Sequence, residues 1–160
     1  MIPQAALGAP TVETEQTAAC CRGIQAEPLG KGETILLVED EAFVREVTSV
    51  VLRSAGYRVL TATDAAAANR MYDLRSGDVG LLLTDVVLPG ESGRALADRL
   101  KRARPELKVL LITGYAEQMS LEAAATGGCL AKPFSVGALL RKVRQVLDPG
   151  DVTEGITRLG

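Results

Sequence analysis

Short apolar runs of strand length alternate along this chain with segments whose apolar residues recur at helical spacing. Parallel strands need a crossover long enough to hold a helix, so this alternation points to βαβ units and a parallel sheet. The pattern predicts strands at 34–39, 57–62, 80–84, 108–113 and 129–131. It predicts helices from about Ala42 to Ala55, from the N-cap Asp64 to Leu74, and from Ser92 or Gly93 to Arg104. Two more follow, from about Met119 to Thr126 and from the N-cap Ser135 to Leu147. The first helix carries Val44, Val47, Val51 and Leu52 as its apolar stripe, with Gly56 as its C-terminal cap. The last carries Leu139, Leu140, Val143, Val146 and Leu147. The fold class expected is α/β, with five strands and five helices.

With 160 residues, the chain has room for one core. Residues 1–32 are rich in Ala, Thr, Glu, Gln, Gly and Pro without periodicity and read as a flexible tail or linker. The compact domain is expected over 33–148, where Asp148, Pro149 and Gly150 form a stop, with 149–160 as a second short tail and no attached output domain. A formal charge of -2 argues against broad capture of nucleic acid. The local basic run Arg99, Lys101, Arg102 and Arg104 is explained by a solvated helix end. Three cysteines, two of them the adjacent Cys20 and Cys21, match neither a disulfide framework nor a metal or redox spacing. No apolar run approaches the roughly 20 residues of a membrane span, and no basic-then-apolar leader is present, so a cytoplasmic protein is expected.

Chemistry-bearing residues follow the apolar runs. Glu39 and Asp40 come after Ile35 to Val38, Asp85 after Leu81 to Thr84, Thr113 after Val109 to Ile112, and Lys132 stands before Pro133. In a parallel sheet the carboxyl ends of strands converge on one crevice, which would bring these groups together. Acids at a helix start also suit the macrodipole without any ligand, and Lys132 or Thr113 singly could be a surface lysine or a strand-end threonine. Jointly they read as a phosphoryl site. Carboxylates so close need a cation, and Mg²⁺ fits an oxygen donor set in a chain with no histidine. One carboxylate can then serve as nucleophile and form an aspartyl phosphate.

The segments ILLVEDE (35–41), LLLTDVVLPGESG (81–93), VLLITGYA (109–116) and LAKPF (130–134) together resemble the receiver domain of two-component response regulators, over about 33–148. The resemblance implies a flavodoxin-like doubly wound (βα)5 fold with strand order 2-1-3-4-5. It implies Asp85 as phosphoacceptor, and Asp40, Asp85 and the main-chain carbonyl of Val87 as direct Mg²⁺ ligands, with Glu39 acting through water. Thr113 and Lys132 would hold the phosphoryl group, the Lys132–Pro133 bond would be cis, and Pro89 and Gly93 would shape the loop after the phosphoacceptor. The donor would be a phosphohistidine of a sensor histidine kinase or a histidine phosphotransfer protein, since the chain itself has no histidine. Catalysis would extend only to the domain's own phosphorylation and dephosphorylation.

Similar domains switch through Thr113 and an aromatic three residues before the lysine. That position is Cys129 here, which leaves phosphorylation intact but puts the aromatic switch in question; Tyr115 is the compensating candidate, and also reads as an exposed loop aromatic. Val87 and Tyr115 should flank the path of a hydrolytic water, and an apolar Val87 with a bulky Tyr115 points to a persistent acyl phosphate. Output is expected by docking through 118–126 and Ser135 to Leu147, to a kinase, an adaptor or a second copy, from either a single-domain regulator or a hybrid-kinase segment. Direct DNA contact is not expected, as no helix-turn-helix follows Leu147. Two other readings are a phosphorylation-independent scaffold or dimerisation module of the same fold, and an aspartyl-nucleophile phosphohydrolase of haloacid-dehalogenase type. The latter usually carries a second Asp where this chain has Val87.

Overall fold

The computed structural model describes residues 30–114 and 128–148. Five strands run β1 (Thr34–Val38), β2 (Arg58–Ala62), β3 (Val79–Asp85), β4 (Lys108–Thr113) and β5 (Cys129–Ala131). Four helices are present among the described residues: α1 (Ala42–Ser54), α2 (Ala65–Arg75), α3 (Gly93–Ala103) and α4 (Val136–Leu147). The expected helix over Met119 to Thr126, like Tyr115 and the segments 1–29 and 149–160, lies outside the described residues. All strands are parallel, in the order β2-β1-β3-β4-β5. This is the doubly wound α/β arrangement expected.

Alternation within the central strands serves two cores at once. Leu36, Val38, Leu82, Val109 and Leu111 point to one face, where Ala68 and Tyr72 of α2 and Leu96 and Leu100 of α3 cover them. Ile35, Leu37, Leu81, Leu83, Leu110 and Ile112 point to the other, against Leu52 of α1 and Leu139 and Val143 of α4. Each such leucine or isoleucine contributes about 1.5–3 kcal/mol by leaving water, so a slip of one residue in β1 or β3 would exchange the two faces' side chains throughout.

Local signals set the helix ends. Asp64, Ser92 and Ser135 each accept a main-chain N–H three residues on, from Ala67, Ala95 and Ala138. After α1, Gly56 has φ +99°, its N–H donates to the carbonyl of Arg53, and that of Tyr57 donates to Leu52. This is the paired bonding of a Schellman end, and it needs a residue free to adopt positive φ.

The apolar stripe predicted for α1 holds at Leu52 and Val51, with Val44 half-buried, and fails at Val47. Its buried residues are Thr48, Ser49 and Leu52, with Val51 partly buried, whereas Val47 is 45% exposed and lines up outward with Phe43 (75%) and Val50 (52%). Valines at helical spacing define a stripe but not which side meets the sheet. The short loop 39–41 fixes that, since α1 starts within four residues of β1.

Where α3 begins, the chain comes against the end of β3. A Cβ on Gly93 would lie 1.9 Å from the carbonyl oxygen of Asp85 and 2.7 Å from Thr84 Oγ1, and the Gly93 N–H donates to Val86 at 2.9 Å. Gly93 thus acts by close approach, beyond the turn-shaping role read from sequence. At the opposite end of the sheet, Arg144 joins the first and last described segments: its Nη2 lies 2.8 Å from both Glu33 Oε1 and Asp148 Oδ2, and its guanidinium sits over the Tyr57 ring at 5.9 Å. Burial opposes ionisation of Glu33, but the Arg144 hydrogen bond, main-chain N–H groups and Arg144's charge outweigh it and hold the carboxyl below its ordinary 4.5.

Two outcomes follow. Gly93→Ala should lower stability by about 1–3 kcal/mol in urea unfolding, because the obstacle is main chain. For Glu33, a depressed folded-state pKa means its stabilisation is present above 4.5 and lost as pH falls below it. The difference in Tm between the wild type and Glu33→Gln is therefore widest above that pH and closes below it; a pH-independent difference would contradict the ion pair.

Candidate functional site

Glu39 and Asp40 follow β1, Asp85 ends β3, Thr113 ends β4 and Lys132 follows β5. Because these strands are neighbours and parallel, with Val38 beside Thr84, Asp85 beside Ile112 and Thr113 beside Ala131, all five residues meet at one edge of the sheet. Glu39, Asp85 and Thr113 are buried, and Asp40 is exposed.

Both oxygens of Asp85 are engaged. Oδ1 accepts the Val87 N–H at 3.0 Å, and Oδ2 accepts from the Lys132 ammonium at 2.6 Å. The same ammonium reaches Glu39 Oε2 at 3.4 Å, while Glu39 Oε1 accepts the Glu41 N–H at 3.1 Å. Glu39 is thereby held from two sides, which leaves Asp40 as the more open carboxylate. The Lys132 N–H donates to the Thr113 carbonyl at 2.8 Å, tying the ends of β4 and β5 together. The Lys132–Pro133 peptide bond is cis.

Burial pushes the Glu39 carboxyl above its ordinary value, and the neighbouring Asp85 charge adds to this; the Glu41 N–H and Lys132 oppose it without prevailing. Burial alone would lower the Lys132 pKa, but the Asp85 hydrogen bond and charge, with Glu39's, raise it instead. Lys132 therefore remains an ammonium throughout the physiological range.

Glu39, Asp40 and Asp85 each offer a carboxylate oxygen, all within 4.8 Å of one another. Two like charges at 4 Å repel by about 4 kcal/mol in a partly buried site. Lys132 offsets one of the three, so two net negative charges remain. An all-oxygen set with that residual charge fits a hard divalent cation and offers no soft or imidazole ligand. Clustered carboxylates beside a fixed ammonium are an arrangement that phosphoryl transfer, a reaction governed by positioning and charge, can use.

Val87 contributes its N–H to Asp85 while its side chain is 62% exposed. Cys129 opens β5 beside Leu111 and is buried in the core shared with α2 and α3. Sequence reading missed Arg45: Nη1 donates to the main-chain carbonyls of Glu39 at 2.8 Å and Asp40 at 3.3 Å. The available signal was an arginine in the first turn of a helix that opens directly after an acidic pair.

Residues 35–144 match the family described as the response regulator receiver domain. The chain is 35% identical over 130 residues to the sensor kinase CckA of Brucella abortus, covering 79% of this chain and 14% of that protein. It is 38% identical over 129 residues to the phosphate regulon transcriptional regulatory protein PhoB of Pseudomonas aeruginosa, covering 75% and 55%. It thus spans less than two thirds of either relative. The crystal structure of the response regulator protein TrrA of Thermotoga maritima, in complex with Mg²⁺-BeF, is similar with a TM-score of 0.65 and 30% identity, over 72% of this chain and 99% of that one. The sheet order, the acidic edge with its lysine and a family match along most of the chain agree: it belongs to the response regulator receiver domain family of two-component systems.

Proposed function

We propose that Asp85 is the phosphoacceptor of a Mg²⁺-dependent transfer from a partner's phosphohistidine, and that its phosphorylation switches protein–protein interactions. The observation that carries this reading is the Asp85 carboxylate itself, anchored by one oxygen to the Val87 N–H and by the other to Lys132, beside two further acids. Mg²⁺ would be held by Asp40, Asp85 and the Val87 carbonyl, with Glu39 acting through water; bound there, it neutralises phosphoryl charge. The Mg²⁺-BeF complex of TrrA supports that assignment by similarity.

In the transfer, an Asp85 oxygen attacks phosphorus, the O–P bond forms, the P–N bond breaks, and the imidazole leaves with the electron pair and gains a proton from solvent. Lys132 keeps its ammonium and follows the phosphoryl oxygens, and Thr113 supplies a hydroxyl to them. The domain serves as a phosphoacceptor switch rather than an enzyme with turnover on a separate substrate. The donor is a sensor histidine kinase or a histidine phosphotransfer protein, and a second copy of the chain is a further partner. Phe43, Val47 and Val50 support a docking role for α1, since they form an outward apolar stripe at i, i+4 and i+7 on the helix that starts beside the acids. No helix among the described residues is long and apolar enough to cross a membrane, and the cytoplasm, where kinase and donor nucleotide meet, is the compartment proposed.

With Cys129 in place of the usual aromatic, Thr113 and Tyr115 are the proposed switch residues. The exposed Val87 side chain cannot orient a hydrolytic water, which supports a persistent acyl phosphate. Incubation of the full chain with phosphoramidate and Mg²⁺ should yield an alkali-labile phosphoryl adduct by intact mass, absent in Asp85→Ala. After donor removal, the adduct should decay faster in Val87→Asn. A folded wild type that gains no adduct from a working donor would leave the phosphorylation-independent scaffold, and equal decay rates would remove the lifetime argument.

A further inference from the structure

Arg45 turns its guanidinium back over the loop that carries the acids. Nη1 donates to the main-chain carbonyls of Glu39 and Asp40, at 2.8 and 3.3 Å, the two residues whose carboxylates join Asp85 in the cluster. It makes no ion pair among the described residues, so its contacts are to loop shape rather than to a neighbouring charge. The loop has few other restraints. Glu39 donates its N–H to Ala62 at 3.1 Å, and Glu41 N–H goes to Glu39 Oε1, while the N-cap position of α1 lacks a side-chain cap. Glu39 is also tied to Lys132, but Asp40 is exposed, and its carboxylate depends on the main chain for its aim.

We infer that Arg45 is a positioning residue: by holding the carbonyls of Glu39 and Asp40 it fixes the loop that presents both carboxylates beside Asp85, and so raises the affinity of the cluster for a divalent cation. The inference rests on the metal-assisted phosphoacceptor reading above. It has a sign that simple electrostatics does not share. A guanidinium near a cation site repels the incoming ion, so if charge were its only effect, removing it would tighten binding. If it holds the loop, removal weakens binding, by about 10-fold on the scale of residues that orient metal ligands.

The test is calorimetric titration of the full chain with Mg²⁺, comparing wild type with Arg45→Met and Arg45→Gln, each shown to be folded by circular dichroism. Both variants should bind about 10-fold more weakly. In phosphoramidate labelling, the Mg²⁺ concentration for half-maximal rate should rise while the rate at saturating Mg²⁺ holds, a split that a general loss of stability would not produce. Should Arg45→Met fail to fold, Arg45→Gln carries the same expectation with its shorter polar side chain. Equal or tighter Mg²⁺ binding in the folded variant overturns the role given to Arg45. A wild type that binds no Mg²⁺ overturns the cation site itself, a separate outcome.

Discussion

Burial of both faces of β1 and β3 is the constraint on which the rest of this molecule depends. Every residue of β1 is buried, and β3 exposes little, so their register leaves no freedom to slide without carrying leucines from one core to the other. Side-by-side placement in that register brings the residues after Val38 level with those after Thr84. The acids emerge together because the apolar residues before them have a single workable arrangement. The site is thus a consequence of packing, while its chemistry comes from what stands one or two residues past the end of each strand.

Electrostatics at that edge are unbalanced. Three carboxylates converge where, among the described residues, Lys132 alone forms ion pairs with them, and Glu39 is held with a raised pKa by burial. Core packing elsewhere holds the acids together, and a carboxylate set so placed can take a divalent cation. Around it, polar main-chain contacts set the fine geometry: the Val87 N–H on Asp85, the Glu41 N–H on Glu39, and the Lys132 N–H on the Thr113 carbonyl.

Features governed by local chemistry were legible in the sequence. The strand and helix alternation, the caps at Asp64, Ser92 and Ser135, and Gly56 after α1 all follow from residue type and spacing, and the structure has them. The convergence of Glu39, Asp40, Asp85 and Lys132 followed once a parallel sheet was assumed. What was not legible depends on orientation in three dimensions. Val44, Val47, Val51 and Leu52 all satisfy a helical stripe, yet Val47 faces outward while Thr48 and Ser49 are buried, a rotation that the spacing does not reveal. Gly93 has no positive φ to betray its need for close approach to Asp85. Arg45 bonds carbonyls, and a side chain's choice of main-chain acceptor leaves no trace in composition or periodicity.

The central claim is that one carboxylate of the cluster, Asp85, carries the phosphoryl group. Borohydride reduction of the phosphorylated chain converts an acyl phosphate to the corresponding alcohol, and peptide mass mapping then locates it. The account predicts homoserine at position 85 alone, and only after incubation with donor and Mg²⁺. Reduction product at position 39 or 40, or none at position 85 in a chain that has gained phosphate, would contradict it.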